Sequence, residues 1–330
     1  MSRSESALRR RSLLAAAAAL AWPSSLVFAQ APDYPAKPVR VLVAFTAGGT
    51  TDILARAVSQ KLSERFQQPF VIDNKPGAGG NLGTELAARS APDGYTLIVN
   101  SVGPMAVNPS LYSKLNINPL SDLVPVVQIA DVPNVLVVHP SLPVKTLEEF
   151  VEHAKGNPGK LNCSSTGIGT SSHLSCFILG KRAGLEVTHV PYKGADALRD
   201  LLAGRVQFMF ATIPSVKQHI EAGSLRALAV SSVKRSRSLP DTPTVAERGY
   251  PGFEAGSWFG FFAPKGTPQE VIATLNKHVN EIIAVPATEG AMVKEGADPI
   301  GGTPQQFGQF VQREFEKWRA VVKESGATAE

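Results

Sequence analysis

Strand and helix patterns alternate along almost the whole 330-residue chain, and this alternation limits the possible folds more than any other sequence feature. An apolar run at 38–45 predicts a buried strand, and apolar residues at helical spacing predict a helix at 51–66. Comparable patterns follow up to a strand at 257–263 and a final helix at 304–325. The alternation predicts an α/β protein whose mostly parallel sheets are covered by helices on both faces. The chain is also longer than one hydrophobic core usually supports, so we expect two domains.

The first 29 residues have the three parts of an export signal. A basic run at 9–11 precedes an apolar run at 13–20, and Val27 and Ala29 place small residues at the −3 and −1 positions. We expect cleavage near Ala29 and a periplasmic protein, because the apolar run is too short for a membrane span. The paired arginines leave the twin-arginine export route open beside the general one.

The charge of the exported chain argues against nucleic acid as a partner. Removing the leader takes away four of the 33 basic and one of the 28 acidic residues, which lowers the net charge from +5 to +2. A nearly neutral chain has no electrostatic footprint for nucleic acid or an anionic membrane. Hydrophobic residues at 43% and charged residues at 18% exclude a disordered or coiled-coil chain.

The two cysteines, Cys163 and Cys176, have a spacing that fits neither a zinc site nor a redox CxxC motif. We expect two buried thiols, since one cysteine falls on a predicted strand and the other inside a predicted helix. A disulfide stays open as the alternative, because the exported chain enters an oxidising compartment.

Ligands of open α/β sheets bind in loops beyond the carboxyl ends of the strands. Those loops are rich in Gly, Ser and Thr here, at 46–52, 76–83, 101–104, 164–173 and 191–194. Glycines without a Cβ and uncapped amides at a helix start form an anion site that needs no basic side chain. Two such helix starts facing each other would hold a small carboxylate, although two ordinary tight turns are the alternative interpretation.

Motifs of catalysis and cofactor binding are absent from the sequence. It has no P-loop and no G-x-S-x-G, and the dinucleotide-like stretch at 167–172 has Ser in place of its third glycine. We expect His173 to act as a hydrogen-bonding residue at a helix start, Lys193 as a solvated or ligand-facing charge, and Asp52 as a partner of backbone amides. We therefore expect no catalytic residue, no metal and no cofactor.

Five segments together resemble the Bug family of extracytoplasmic solute receptors, the binding proteins of tripartite tricarboxylate transporters. The segments lie at 34–56, 71–99, 165–175, 190–210 and 261–276, and the resemblance covers essentially all of the mature chain. It implies a two-lobed periplasmic binding protein, a Venus flytrap of type II-like α/β fold. Lobe 1 would comprise residues 30–130 plus 254–330 and lobe 2 residues 131–253, with two crossings forming the hinge.

The resemblance also implies a ligand carboxylate on the first strand–helix loop, with lobe 2 closing over it. The candidate ligand-binding residues are Phe45, Thr46, Ala47, Gly48, Gly49, Asp52, Gly79, Gly80, Ser101, Thr166, Gly169, Thr170, Ser171, His173, Tyr192, Lys193 and Ala211. The family often has an Asp where this chain has Ala211. Without that partner for a ligand amine, we expect a plain organic or aromatic carboxylate rather than an amino acid.

The resulting prediction is a monomeric receptor that captures a small di-, tri- or aromatic carboxylate in the cleft between its lobes. It would deliver that ligand to the integral membrane subunits of a transporter. Two alternatives stay open: an exported enzyme that acts on a small acid through His173 or Lys193, and a ligand-sensing subunit of a signalling system.

Overall fold

The computed structural model describes residues 34–325 and 328–329. The predicted export signal and its cleavage site near Ala29 lie outside the described residues. None of the described helices combines the length and the apolar character that a membrane span requires.

The described strands carry the alternation that the sequence predicts. They are β1 (Val39–Val43), β2 (Phe70–Asn74), β3 (Thr96–Ser101), β4 (Leu123–Val132), β5 (Asn134–Val138), β6 (Asn162–Ser165), β7 (Thr188–Pro191), β8 (Phe208–Thr212), β9 (Arg226–Val230), β10 (Ser257–Pro264) and β11 (Asp298–Gly301).

Helices connect these strands and cover the sheets. They are α1 (Thr50–Phe66), α2 (Asn81–Ala88), α3 (Asn108–Leu111), α4 (Pro119–Asp122), α5 (Leu147–Lys155), α6 (Ser171–Ala183), α7 (Asp196–Leu202), α8 (Ile213–Glu221), α9 (Gln269–Ile283), α10 (Pro286–Lys294) and α11 (Pro304–Ser325). A short 3₁₀ turn at Ala78–Gly80 precedes α2, and a π-helical turn at Gly103–Val107 follows β3.

The strands form two sheets, and both are mixed. The first has the order β11-β4-β10-β3-β1-β2, and the second has the order β7-β6-β8-β5-β9. Pairs of β1 and of β6 are parallel, whereas β10 and β5 run antiparallel to both of their neighbours. The prediction of mostly parallel sheets is therefore wrong. One cause is that the strand after each crossing between the sheets, β5 or β10, runs opposite to its neighbours. The edge strand β11 also pairs antiparallel with β4.

The centre of the first sheet is buried on both faces, which explains its almost continuous apolar strands. Every residue of β10 is buried. On one face Trp258 meets Phe307 of α11 edge to face, with ring centroids 5.6 Å apart. Gly260 provides the space for this helix, because a Cβ there would collide with the Phe307 ring and lie 2.8 Å from the Val127 carbonyl oxygen.

The chain crosses between the sheets at two adjacent places. It enters the second sheet between Val132 and Asn134, and it returns to the first at Ser257, which pairs with Val132. Asn134 joins the two crossings, because its buried Nδ2 donates a hydrogen bond to the Ala255 carbonyl oxygen at 2.9 Å. The lobe boundaries given above, at 130/131 and 253/254, stay a prediction.

The cysteine prediction requires a correction. Cys163 of β6 and Cys176 of α6 are joined in a disulfide rather than being free thiols. Their Cα atoms lie 6.8 Å apart because helix α6 packs directly on β6. The bridge closes the segment that carries the loop at 164–173.

Candidate functional site

The loop after β1 presents backbone amides at a helix start. Gly49 is the N-cap of α1 and makes no side-chain cap, so the first amides of this 17-residue helix have no partner from a capping side chain. Gly48 has φ +81°, a conformation that favours glycine. Thr50 and Thr51 are buried in the first turn. The positive end of the helix dipole, the first backbone amides and the threonine hydroxyls therefore lie together at the start of α1.

Asp52 supports this loop from behind. Its Oδ2 accepts hydrogen bonds from the Gly48 amide at 3.0 Å and from Arg56 Nε at 2.9 Å, and its Oδ1 accepts one from Asn74 Nδ2 at 3.0 Å. Burial raises the pKa of Asp52, but the hydrogen bonds from Arg56, Gly48 and Asn74 outweigh burial and hold the pKa below its usual value. The carboxylate is thus ionised and committed to the loop.

The loop before α6 takes the corresponding place in the second sheet, but its helix start has a side-chain cap. Thr170 is the N-cap of α6, and its hydroxyl accepts a hydrogen bond from the His173 amide and donates one to the Gly167 carbonyl oxygen at 2.8 Å. Ser171 Oγ donates to Asn134 Oδ1 at 3.4 Å. These bonds set the direction in which the first turn of α6 presents its amides.

Residues 45–52, which end in the first turn of α1, are called the α1 loop below. Two hydrogen bonds join this loop directly to the second sheet. Thr46 Oγ1 accepts one from the Ala195 amide at 2.9 Å, and the hydroxyls of Thr50 and Thr212 lie 2.6 Å apart. Gly194, at φ +63°, permits this approach because a Cβ at that position would collide with Thr46. The loops of the two sheets are therefore in contact.

A cavity lies between these loops, with about 660 Å³ of empty space that includes the part open to solvent. Its lining consists of hydroxyl side chains, small or glycine residues and four larger apolar side chains. The lining residues are Phe45, Thr46, Gly48, Gly49, Thr50, Thr51, Ser101, Thr166, Thr170, Ser171, Gly194, Ala195, Leu198, Met209, Thr212, Ser215, Ser257 and Phe259. Among these described residues none carries a charge.

The structure brings part of the predicted site together. Eight predicted residues line the cavity: Phe45, Thr46, Gly48, Gly49, Ser101, Thr166, Thr170 and Ser171. The other nine predicted residues, Ala47, Asp52, Gly79, Gly80, Gly169, His173, Tyr192, Lys193 and Ala211, are not among the lining residues. A binding role for any predicted residue stays a prediction.

The nine residues outside the lining have other surroundings. Ala47 and Lys193 are exposed, and Ala211 is buried in the apolar core beside β5. Tyr192 donates its hydroxyl to Asp200 Oδ2 at 2.9 Å. The remaining glycines, Gly79, Gly80 and Gly169, pack against neighbouring backbone and side chains where a Cβ would collide.

His173 belongs to the loop at 164–173 (the α6 loop) but is not among the cavity-lining residues. Its ring stacks on His189, with ring centroids 4.0 Å apart. Burial, and then the charge of His189, lower the pKa of His173 to about 3, and burial lowers the pKa of His189 to about 4. Both rings are therefore neutral at neutral pH. The Gly169 amide donates to His173 Nδ1 at 3.2 Å, which makes this ring a support of the loop.

Sequence reasoning missed ten lining residues: Thr50, Thr51, Gly194, Ala195, Leu198, Met209, Thr212, Ser215, Ser257 and Phe259. Gly194 lies in a loop that the sequence does single out, and Thr212 ends strand β8, which is a readable signal. Ser257 had no such signal, because it begins β10. An antiparallel strand places its amino end at the edge where the parallel strands end.

Two mixed α/β sheets, two adjacent crossings and a cavity between facing helix starts define a two-lobed periplasmic binding protein. A family model described as "Tripartite tricarboxylate transporter family receptor" matches residues 54–327. The chain therefore belongs to this family, as its resemblance to Bug proteins predicted. The family consists of substrate-binding receptors, which confirms the prediction of a receptor rather than an enzyme. Among the described residues no three His, Cys, Asp or Glu side chains are placed to hold a metal ion.

Individual relatives are similar over nearly their whole length. Protein BugT of Bordetella pertussis is 41% identical over 299 residues, which cover 90% of this chain and 92% of BugT. The R. palustris protein Rpa4515, solved with adipate, is 40% identical with a TM-score of 0.88, and the match covers 90% of this chain and 99% of that one. MatC of Rhodopseudomonas palustris, solved with bound malate, is 33% identical with a TM-score of 0.83, covering 88% and 100%.

Proposed function

We propose that this chain captures a small organic carboxylate in the cavity between its sheets and delivers it to an integral membrane transporter. The observation that carries the proposal is the lining itself, in which the starts of α1 and α6 and ten hydroxyl side chains surround the cavity without any charged side chain. Such donors suit a carboxylate, and each charge-assisted hydrogen bond contributes about 1.5–3 kcal/mol. Relatives solved with adipate and malate support the same ligand class.

The proposed mechanism is closure around the ligand. Lobe 1 (30–130 plus 254–330) and lobe 2 (131–253) would move about the two crossings as rigid bodies. A ligand shifts this equilibrium only through contacts that it makes better in the closed form. Because the cavity is lined from both sheets, a carboxylate there contacts both lobes and favours closure.

The lining also argues against a free amino acid as the ligand. An ammonium group taken from water needs a carboxylate partner in the cavity. The carboxylate of the α1 loop, Asp52, is already bound by Gly48, Arg56 and Asn74. Ala211 is buried in the core, and its methyl side chain offers no carboxylate to an ammonium group. A plain organic or aromatic acid is the better match.

The proposal includes the route and partners that the sequence predicts. The chain is exported, by the twin-arginine or the general route, and is cleaved near Ala29. It then acts in the periplasm as a monomer. The closed form is the one that membrane subunits recognise. Loss of uptake of the bound acid in cells that lack this chain is the expected consequence.

A thermal-shift screen of the purified protein against organic acids tests the proposal. A ligand at 100 times its Kd stabilises the folded state by about 2.7 kcal/mol, which raises the Tm by several degrees. We expect such shifts from adipate, malate or benzoate and none from aspartate or glutamate. A folded protein that no carboxylate stabilises, or that aspartate stabilises most, would contradict the proposal.

A further inference from the structure

The ten hydroxyls of the cavity lining divide into two groups. Six already form hydrogen bonds within the protein, as with Thr170 and the Gly167 carbonyl oxygen at 2.8 Å or Ser215 and the Thr212 carbonyl oxygen at 2.7 Å. Four form no side-chain hydrogen bond with any described residue: Thr51, Ser101, Thr166 and Ser257. The cavity therefore contains polar groups that only a ligand or water can satisfy.

Thr51 and Thr166 belong to the two turns that would hold the carboxylate, whereas Ser101 and Ser257 form a separate pair. Ser101 ends β3 and lies opposite Phe259 of β10, and Ser257 lies two residues before Phe259. Alternate residues of a strand share a face, so both serines flank Phe259 on one wall. Diagonal neighbours of this kind are about 7–8 Å apart, close enough for one ligand group to lie between them.

This serine pair is buried and lies in uncharged surroundings. Ser101 is 5% exposed and Ser257 is 6% exposed, and the ring between them, Phe259, is 3% exposed. Neither hydroxyl oxygen is among the fully buried atoms without a partner, so both remain open to the cavity. A ligand that covers such a hydroxyl removes its water, so a ligand that offers a hydrogen bond there is favoured over one that offers a methyl group. A second carboxylate loses much more solvation than a hydroxyl on entering such surroundings.

We infer that Ser101 and Ser257 are specificity-determining residues that bind an uncharged polar group, a hydroxyl or carbonyl oxygen, on the body of the ligand acid. The preferred ligand is then a hydroxy or oxo acid whose remaining body is hydrocarbon, in contact with Phe45, Leu198 and Met209. This inference rests on the proposed function and narrows its substrate class.

Two matched series of acids test the inference by isothermal titration calorimetry on the purified protein. Hexanoate, 6-hydroxyhexanoate and adipate share one length, and benzoate, 4-hydroxybenzoate and terephthalate share one ring. In the series that fits the cavity, we expect the hydroxy acid to bind about tenfold more tightly than the parent acid and more tightly than the diacid. In Ser101→Ala and Ser257→Ala that advantage over the parent acid is lost.

Ser215→Ala is the matched control, because Ser215 lines the same cavity but already donates to the Thr212 carbonyl oxygen. It keeps the preference for the hydroxy acid. A diacid or parent acid that binds best, or a hydroxyl preference that survives both serine substitutions, overturns the inference while the proposed function stands. Binding of no carboxylate at all by the folded protein overturns both. If one alanine variant does not fold, the other variant and the wild-type order of each series decide.

Discussion

Thr46 and Thr50 lie in the α1 loop, but their hydroxyls are bonded to the opposite sheet. Thr46 Oγ1 accepts from the Ala195 amide, and Thr50 pairs with Thr212. These bonds form only when the loops of the two sheets meet, so they would stabilise the proposed closure whichever acid is bound. We expect a residue of this kind to set the overall affinity, whereas we expect Ser101 and Ser257 to set the preference among ligands.

Thr46→Val therefore lowers the affinity for every ligand by the same factor. Valine keeps the branched shape but leaves the Ala195 amide without its acceptor, a loss that corresponds to about a tenfold rise in Kd. Titration with two acids that bind the wild-type protein measures the effect, and the ratio of their Kd values stays constant. Ser101→Ala is the control that changes this ratio when the two acids are a hydroxy acid and its parent acid. A changed ratio in Thr46→Val would assign Thr46 to direct ligand contact instead.

Local patterns predicted most of the lining residues in the two strand–helix turns that contain Gly48 and Gly169. The turns at Gly48 and at Gly169 follow parallel strands, and each glycine has a positive φ. Sequence alone could not show that His173 would face away from the cavity, because its direction depends on stacking with His189, which lies on another strand. Met209 looks like an ordinary core residue in sequence, and only the packing of β8 places it on the cavity.

At the scale of elements, Asn134 links both crossings to the α6 loop. Its Nδ2 donates to Ser175 Oγ and to the Ala255 carbonyl oxygen, both at 2.9 Å, and its Oδ1 accepts from Ser171. The residue is completely buried. Partnered polar groups at such depth fix one arrangement of the elements around them. The first turn of α6 is thus attached to the crossings about which the lobes would rotate.

Asn134→Ala leaves Ser175 and the Ala255 carbonyl oxygen with fewer partners in a buried place. We expect the free energy of unfolding, measured by urea denaturation, to fall by about 2–4 kcal/mol. Asn116→Ala is the control, because Asn116 is exposed and its bonds to Glu85 lie at the surface; it changes stability by less than about 0.5 kcal/mol. Equal stability of the two variants would refute a linking role for Asn134.

Positions of strands and helices were predicted better than their directions. The helix at Pro304–Ser325 has the bounds that the sequence indicates, and the strand at Ser257–Pro264 ends one residue later than predicted, because hydrophobic periodicity is local. Direction depends on where the chain crosses between sheets, and β10 returns antiparallel for that reason. The disulfide was missed for a related reason, since the contact between β6 and α6 is tertiary.

At the scale of the whole molecule, buried titratable groups make stability depend on pH in opposite directions. Burial, together with repulsion from Glu314, raises the pKa of Asp131 to about 6. As the pH falls, the folded protein therefore binds this proton before the unfolded chain does, and this uptake favours the folded state. The stacked histidines do the reverse. Their pKa values of about 3 and 4 lie below the value of about 6.5 that histidine has in the unfolded chain. Acidification from pH 7 to 5 therefore protonates these histidines in the unfolded chain alone and favours unfolding.

Replacing His173 by glutamine removes one of these proton sites while leaving Asp131 unchanged, so a comparison with the wild-type protein isolates the histidine. Between pH 7 and pH 5 we expect the histidine to account for about 1–2 kcal/mol of the change in the free energy of unfolding. Urea denaturation at pH 7 and at pH 5 gives the difference between the two free energies of unfolding. We expect this difference to be about 1–2 kcal/mol smaller in His173→Gln than in the wild-type protein. Asn116→Ala, a surface substitution that removes no proton site, serves as the control and keeps the wild-type difference. If His173→Gln also keeps the wild-type difference, the pKa of this ring is the same in the folded and the unfolded chain. The proposed contribution of the neutral His173 ring to stability near neutral pH would then be wrong.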